Sequence, residues 1–147
     1  MTKPASFQAA AMKSIPFSAR RRLLAAAKAA VRQAYAPYSR FRVGAAVLGG
    51  SGKIYAGANV ENASYGLSNC AERTAVFGAV AAGERKIVAV AVYTPTPKPT
   101  APCGACRQVI REFGPRAAVL CTCRSHEQIE TTLDRLLPAA FGPKSLR

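Results

Sequence analysis

The sequence has little negative charge. Its 147 residues include 7 Asp and Glu against 21 Lys and Arg, which gives a formal net charge of +14. Residues 1–60 contain no acidic side chain, and Glu61 is the first carboxylate of the chain. A basic surface of this kind attracts nucleic acid through its phosphates, but the alternation of basic and aromatic residues that is typical of single-strand binding is missing. The charge therefore predicts only non-specific contact with nucleic acid.

A long apolar run is also missing. Charged or turn-forming residues interrupt every apolar stretch before it reaches the roughly 18 residues that a membrane-spanning helix requires, so we expect no membrane partner. The first residues show neither the continuous apolar region nor the small-residue cleavage site of a secretion signal, which favours a cytoplasmic protein. Apolar residues still make up 50% of the chain, which is enough to form the core of one domain.

Disulfide bonds are not expected among the five cysteines. The count is odd, and a chain without a secretion signal is expected to stay reduced, so metal binding or catalysis is the better explanation for its thiols. Histidine occurs once, and we expect His126 to be a surface residue without a metal role. Cys121 and Cys123 alternate along a predicted strand and face the same side, and we expect both to be buried and inert.

We interpret residues 1–16 as a flexible N-terminal tail, because two prolines interrupt a short stretch that is rich in Ala and Ser. A start without acidic residues that carries basic residues and Ser is also typical of an organelle transit peptide. Residues 17–147 are predicted to form a single domain.

The periodicity of the apolar residues predicts alternating helices and strands. The expected helices span 18–36, 70–82, 103–113 and 133–137, and the expected strands span 41–48, 53–58, 86–93, 117–123 and, more weakly, 126–131. The first two strands form a hairpin around a Gly-rich turn, whereas the helix between the third and fourth strands makes those two parallel. We therefore predict the α/β class, with a mixed sheet of four strands, or five if the weaker one is counted, and helices on both faces.

Three cysteines occupy the starts of two predicted helices. Cys103 and Cys106 are one helical turn apart, so both sulfurs can contact one ion, and Cys70 begins another helix after a polar loop. Three thiolates that converge there leave one position of a tetrahedral zinc ion open, which is typical of catalytic zinc. A CxxC pair alone also fits a redox pair, a structural zinc site or chance. The three cysteines together favour one catalytic zinc ion per chain.

Glu72 lies two residues from Cys70 and is the candidate proton carrier of this site. Three thiolates on a divalent zinc ion leave a net negative charge, so the site needs positive partners. The helix N-termini supply partial positive charge, and Arg73 can donate hydrogen bonds to a thiolate. Cys-Ala-Glu followed by Pro-Cys-Gly-Ala-Cys matches the three-cysteine form of the known signature of zinc nucleobase deaminases.

The chain resembles the cytidine deaminase family in its small homotetrameric form, over about residues 18–143. Six segments in the family's order carry the resemblance: 35–41 (YAPYSRF), 43–46 (VGAA), 59–65 (NVENASY), 70–73 (CAER), 102–108 (PCGACRQ) and 136–141 (LLPAAF). The resemblance implies a cytidine deaminase-like three-layer α-β-α sandwich with a mixed five-stranded sheet. It also implies zinc-dependent hydrolysis of cytidine and deoxycytidine to uridine and deoxyuridine, with release of ammonia, in pyrimidine salvage.

The same resemblance implies roles for individual residues. It assigns zinc binding to Cys70, Cys103 and Cys106, proton transfer to Glu72, stacking on the pyrimidine to Phe41, the ribose hydroxyls to Asn59 and Glu61, and a place in the neighbouring subunit's site to Phe141. From the residues alone, Asn59 and Glu61 also fit a solvated turn, and each phenylalanine also fits core packing. One departure is Arg42, which stands where the family commonly has proline and which either alters affinity or points to solvent.

The spacing of Asn59 and Glu61 bears on the substrate. They are two residues apart at the end of a predicted strand, so both side chains can point the same way. An amide and a carboxylate suit the hydroxyls of a sugar, and the carboxylate would repel a 5′-phosphate. We therefore expect a small nucleoside rather than a nucleotide as the substrate.

Three other functions stay open on the sequence. A deaminase of a modified cytosine nucleoside, such as blasticidin S, shares the metal motif, although the Asn59–Glu61 pair and Arg73 favour ordinary nucleosides. A polynucleotide cytosine deaminase would use the basic half of the chain, but a carboxylate at the sugar leaves little room for a strand. A non-catalytic zinc module that binds nucleic acid would have no need for Glu72 beside an open zinc position.

Overall fold

The computed structural model describes residues 14–147. The helices are α1 (Phe17–Ala30), α2 (Ala71–Ala81), α3 (Gly104–Phe113) and α4 (Leu133–Leu136), and the strands are β1 (Gly44–Gly49), β2 (Ile54–Ala58), β3 (Ile87–Tyr93), β4 (Ala118–Thr122) and β5 (Gln128–Thr132). Short 3-10 helices lie at Val31–Gln33, Tyr65–Leu67 and Pro143–Leu146. Within the described residues, no helix combines the length and the apolar character needed to cross a membrane.

The strands form one mixed sheet in the order β2-β1-β3-β4-β5. β3 and β4 are parallel and are joined through α3, whereas the other neighbouring pairs are antiparallel. The predicted mixed sheet is therefore confirmed with its fifth strand, which begins at Gln128 rather than at residue 126. In the ladder between β4 and β5, Gln128 is opposite Thr122 and Thr132 is opposite Ala118.

Helices cover both faces of this sheet, as the three-layer prediction requires. α1 packs Leu23 and Ala27 onto one face, where Ala46 and Leu120 are buried. α2, α3 and α4 cover the other face, where the buried cluster includes Val47, Val90, Val119, Ala75, Ile110 and Leu133. Because successive strand side chains point to opposite faces, covering both faces explains why β3 is apolar along its whole length.

The end of α1 differs from its prediction. The α-helix stops at Ala30, a 3-10 helix continues to Gln33, and Ala34 is already extended. The cause is tertiary pairing, because the Tyr35 N–H donates to the Asn59 carbonyl at 3.0 Å and the Glu61 N–H donates to the Tyr35 carbonyl at 2.8 Å. Residues 34–36 therefore run beside the segment that follows β2 instead of extending the helix.

Gly44, at the start of β1, allows α1 to approach the sheet closely. A Cβ atom at this position would overlap with the carbonyl of Ala27 and the backbone of Val31. The contact anchors the C-terminal part of α1 above the beginning of β1. It thereby fixes how far the loop between α1 and β1 lies from the sheet.

The predicted N-terminal tail lies mostly outside the described residues. Of residues 1–16, the structure describes Ser14, Ile15 and Pro16. Ile15 is buried in the cluster beneath α1, and the Pro16 carbonyl accepts a hydrogen bond from the Arg20 N–H at 3.0 Å. The packed part of the chain therefore begins before Phe17.

Candidate active site

The N-termini of α2 and α3 lie close together at one end of the strands, where β1 begins and β2 and β3 end. Gly44 at the start of β1 is paired with Ala58 at the end of β2 and with Tyr93 at the end of β3. The chain leaves the sheet here after β2 and after β3, and each exit leads through a loop into a helix. Sites at the carboxyl ends of strands are a general feature of open α/β sheets.

Three thiols converge at these helix N-termini. Cys70 and Cys103 are the extended residues immediately before α2 and α3, and Cys106 lies in the first turn of α3. The three sulfurs lie within 4.8 Å of one another, and Cys70 Sγ is 3.9 Å from Cys103 Sγ. Tetrahedral zinc with its usual Zn–S distance holds sulfurs about 3.8 Å apart. The three cysteines are therefore positioned to bind a metal ion, and their thiol chemistry fits zinc.

Positive charge from Arg73 faces this cluster. Its Nη2 atom donates to Cys70 Sγ at 3.4 Å. A hydrogen bond from the Cys106 thiol, together with this donation from Arg73, lowers the pKa of Cys70 to about 5. A helix N-terminus also favours a thiolate over a thiol. Because zinc binds cysteine only as thiolate, these groups prepare the cluster for the ion.

Glu72 lies in the first turn of α2 and is only 5% exposed. Burial raises the pKa of its carboxyl, and the charge of Cys70 acts in the same direction. A desolvated carboxyl beside a metal-binding cluster is suited to holding and moving a proton.

A pocket of about 280 Å³ opens onto the thiols and Glu72. Its walls come from the loop before β1, the loop after β2, the starts of α2 and α3, and the loop after β3. They include four of the residues singled out for the sugar, the base and the proton: Phe41, Asn59, Glu61 and Glu72. Cys70 and Cys103 complete the wall at the metal cluster.

The model of one protein family, described as "Cytidine and deoxycytidylate deaminase zinc-binding region", matches residues 18–122. The chain belongs to this family. The cytidine deaminase of Sporosarcina psychrophila is 50% identical over 127 residues, which cover 85% of this chain and 93% of that protein.

Solved structures agree with this family assignment. A cytidine deaminase from Burkholderia pseudomallei is 54% identical, with a TM-score of 0.79, and the match covers 82% of this chain and 98% of that chain. A cytidine deaminase from Mycobacterium tuberculosis is 40% identical, with a TM-score of 0.72, and the match covers 84% and 97% of the two chains. The two solved deaminase chains therefore share the fold of this chain along nearly their full length.

Asn59 and Glu61 line the pocket, yet their side chains are also bound to the protein itself. Asn59, 9% exposed, accepts from the Val43 N–H at 2.8 Å and donates to the Phe41 carbonyl at 2.7 Å. The Val43 N–H and the Phe41 carbonyl are therefore bound to a side chain and do not pair with a neighbouring strand. For this reason β1 begins at Gly44 rather than at the predicted residue 41. The Glu61 carboxylate binds Tyr38 and Ser39 in the same loop.

Phe41 and Phe141 differ in their relation to the pocket. Phe41 forms part of its wall and is 41% exposed, so the ring is not a core residue. Phe141 is 58% exposed and is not among the residues that line the pocket. Its carbonyl accepts a hydrogen bond from Gln108 Nε2 at 3.0 Å, which ties the C-terminal segment to α3 just beyond the metal cluster.

Arg42 points away from the pocket. Its guanidinium donates to the Arg32 carbonyl at 2.8 Å, a group at the C-terminal end of the first helical segment, where cations are favoured. The arginine that stands where the family commonly has proline thus attaches the loop before β1 to the 3-10 helix that follows α1. Arg42 is not among the residues that line the pocket.

The two remaining cysteines and the histidine lie outside the cluster. Cys121 and Cys123 are buried free thiols, and burial raises the pKa of Cys121 to about 12. The prediction that both are buried is confirmed. His126 is exposed, as expected for a surface residue.

Sequence analysis missed the roles of two residues near the site. Ser39 links Glu61 to the backbone of Phe41. Arg107 donates to the Pro102 carbonyl at 2.7 Å and to the Leu136 carbonyl at 2.9 Å, so it closes the turn that holds Cys103 and Cys106. Both residues stand inside the family motifs, and their position there is the signal that could have identified them.

Proposed function

We propose that this chain is a zinc-dependent cytidine deaminase, which hydrolyses cytidine and deoxycytidine to uridine and deoxyuridine and releases ammonia. The observation that carries the proposal is the shared pocket, in which a buried glutamate and a three-thiol metal cluster face residues suited to a sugar and a base. The similarity to proteins named cytidine deaminase supports the same substrate. A modified nucleoside such as blasticidin S has no such support.

In this proposal, Cys70, Cys103 and Cys106 hold the zinc ion, and Arg73 offsets the charge of the thiolates. Zinc, when bound, supplies Lewis-acid activation of the hydrolytic water. Glu72 takes one proton from that water and delivers it to the pyrimidine ring nitrogen, and it then carries the water's second proton to the departing amine, so that ammonia leaves and the oxygen stays on the ring as the carbonyl. Its burial supports this role, because a desolvated carboxyl exchanges protons with the substrate rather than with bulk water.

The remaining site residues bind the nucleoside. Phe41 stacks on the pyrimidine, and Asn59 and Glu61 face the ribose hydroxyls. Hydrogen bonds from Ser39 lower the pKa of Glu61, so this residue carries a negative charge at neutral pH. Such a charge repels a 5′-phosphate and selects nucleosides over nucleotides.

We also propose that four chains assemble around these sites, with Phe141 reaching into a neighbouring site. Large apolar side chains on the loops beside the pocket and on α2 support an interface, since patches of this kind mark association surfaces. They are Tyr35, Tyr38, Val60, Tyr65, Leu67 and Phe77. Light scattering after gel filtration should give the mass of four chains, and a monomer mass would contradict this assembly.

The cellular setting follows from the same chemistry. Five free thiols fit a reducing compartment, so we propose a cytoplasmic enzyme of pyrimidine salvage. Its net charge of +14 should attract RNA only non-specifically. An elution volume that shifts on treatment with RNase would support this contact, and an unchanged volume would contradict it.

An ultraviolet assay on protein of known zinc content tests the function. Cytidine, deoxycytidine, cytidine monophosphate and blasticidin S serve as the four substrates. We expect turnover of the two nucleosides and none of the nucleotide. Absence of nucleoside turnover by protein that carries about one zinc ion per chain would refute the proposal.

A further inference from the structure

The loop before β1 is held to the loop after β2 by a dense set of hydrogen bonds. Glu61 Oε1 accepts from the backbone N–H groups of Tyr38 at 2.9 Å and of Ser39 at 3.1 Å. Glu61 Oε2 accepts from the Ser39 hydroxyl. A carboxylate has about four acceptor positions, so one remains for a ligand. The direction of that position is set by the three bonds already made.

Phe41 is held on both sides of its own backbone. Its N–H donates to Ser39 Oγ at 3.0 Å, and its carbonyl accepts from Asn59 Nδ2 at 2.7 Å. Arg40, between Ser39 and Phe41, has a φ of 58°, a left-handed conformation that a non-glycine residue adopts at a cost. The chain therefore bends sharply here, and the hydroxyl of Ser39 lies inside the bend.

Among the residues that the structure describes, Ser39 is the one whose side chain hydrogen-bonds to both Glu61 and Phe41. Its hydroxyl hydrogen goes to Glu61, while its oxygen receives the Phe41 N–H. A serine hydroxyl has one donor and two acceptor positions, so this arrangement uses the donor completely. Removing the hydroxyl frees the Phe41 N–H and releases one oxygen of the Glu61 carboxylate at the same time, while Asn59 still holds the Phe41 carbonyl.

We propose that Ser39 is a positioning residue that sets the Phe41 ring and the Glu61 carboxylate at one fixed separation, so that base and sugar are bound as one unit. The inference rests on the proposed function, since it concerns how the same pocket binds its nucleoside. Ser39 acts through these two neighbours and takes no part in moving protons. Its loss should therefore weaken substrate binding more than turnover.

The chain offers a matched control far from the pocket. Ser51, in the turn between β1 and β2, donates its hydroxyl to Glu84 and accepts from the Lys53 N–H at 3.3 Å. The pattern is the same as at Ser39, with a carboxylate on one side and the N–H of the second following residue on the other. Ser51 does not line the pocket, so Ser51→Ala removes the same chemistry without touching the site.

The experiment compares the zinc-loaded unmodified chain with Ser39→Ala, Ser39→Thr and Ser51→Ala, using cytidine as substrate. We expect Ser39→Ala to raise KM about tenfold, the effect of losing a hydrogen bond to a charged group, with kcat nearly unchanged. Ser39→Thr, which keeps the hydroxyl, should restore most of the affinity. Ser51→Ala should keep the KM of the unmodified chain.

A double-mutant cycle separates positioning from direct contact with substrate. In a Phe41→Leu background, Ser39→Ala should have a smaller effect on KM than in the unmodified background, because the part of its effect that acts through the ring is already lost. Additive effects in this cycle would overturn the proposal. Equal KM values for Ser39→Ala and Ser51→Ala, or a folded Ser39→Thr that behaves like Ser39→Ala, would overturn it as well.

A fluorescence measurement tests the same idea without turnover. The sequence contains no tryptophan, so Phe41→Trp introduces a single indole at the pocket wall. Adding Ser39→Ala should lower its anisotropy and increase its quenching by iodide, whereas adding Ser51→Ala should change neither. An unmodified chain that fails to turn over cytidine would refute the proposed function alone. An indole that does not respond to Ser39→Ala would refute the positioning role, whatever the activity.

Discussion

Two serine–glutamate pairs lie at opposite ends of the β1–β2 hairpin. Ser39 and Glu61 flank the open end, before β1 and after β2, while Ser51 in the turn holds Glu84 at the closed end. In each pair the serine lowers the pKa of the carboxyl by donating its hydroxyl. The local chemistry is the same, so the neighbours decide what each pair does.

The neighbours differ in what they leave open. Glu84, 8% exposed, is also bound by the Tyr55 hydroxyl at 3.3 Å, and a Cβ atom at Gly49 would overlap with its carboxylate. Glu61 borders a pocket of about 280 Å³ that leads to Glu72 and the thiols. A closed surrounding makes a carboxylate a structural tie, whereas an open pocket leaves it able to meet a ligand.

The largest effect that sharpens this comparison is expected at Glu72. Glu72→Gln should lower kcat by several orders of magnitude, because the amide cannot carry the proton, and zinc content and the thermal unfolding midpoint should persist. Glu84→Gln, at a comparably buried glutamate of the closed end, should keep kcat. The measurement is the steady-state rate on cytidine, together with metal analysis and a thermal melt. Comparable losses of kcat in Glu72→Gln and Glu84→Gln would contradict the distinction between a glutamate at the pocket and one at the closed end.

The next effect concerns the metal. Cys106→Ser should reduce the zinc content from about one ion per chain to nearly none, since a site with two thiolates binds zinc far more weakly. Cys121→Ser changes an equally buried thiol that lies outside the cluster, and it should keep the ion. Metal analysis of both variants, purified in parallel, decides the matter. Zinc loss from Cys121→Ser would mean that this thiol supports the cluster.

A smaller effect, in stability alone, is expected at the closed end. Glu84→Gln should lower the thermal unfolding midpoint by several degrees, because Ser51 and Tyr55 lose a charged acceptor. The KM for cytidine should not change. Thermal melts and steady-state kinetics check the two parts separately. A raised KM would show that the closed end is coupled to the pocket.

The smallest effect is the pH dependence of that stability difference. The hydrogen bond from Ser51 lowers the pKa of Glu84 below its ordinary value of 4.5, so the folded state favours the carboxylate. The stabilisation is fully present above the unfolded value and is lost as the pH falls through the folded value. The melting curves of the unmodified chain and Glu84→Gln should therefore converge in acid. A constant difference from neutral to acid pH would contradict this assignment.

The sequence predicted the parts of the site that depend on local spacing. One helical turn separates Cys103 from Cys106, and Cys70 and Glu72 stand at the start of another helix. Together with the family motifs, this spacing was enough to predict three converging thiols with a glutamate beside them. The pattern of apolar residues also predicted which segments are helices and which are strands. The central strand β3 is apolar throughout because helices cover both faces of the sheet. The end of α1 and the start of β1 were misplaced, since Tyr35, Phe41 and Val43 make their backbone bonds to residues 59–61 instead of to regular elements.

The sequence by itself determined the fold class and which thiols and which glutamate form the candidate site. Only the tertiary structure decided that Ser39, Glu61 and Phe41 form one hydrogen-bonded unit, that Arg42 binds the 3-10 helix after α1, and that Glu84 is closed off while Glu61 is not. The physical reason is distance along the chain. A helical turn brings neighbours together by local geometry, whereas Ser39 meets Glu61 only after the sheet has assembled between them.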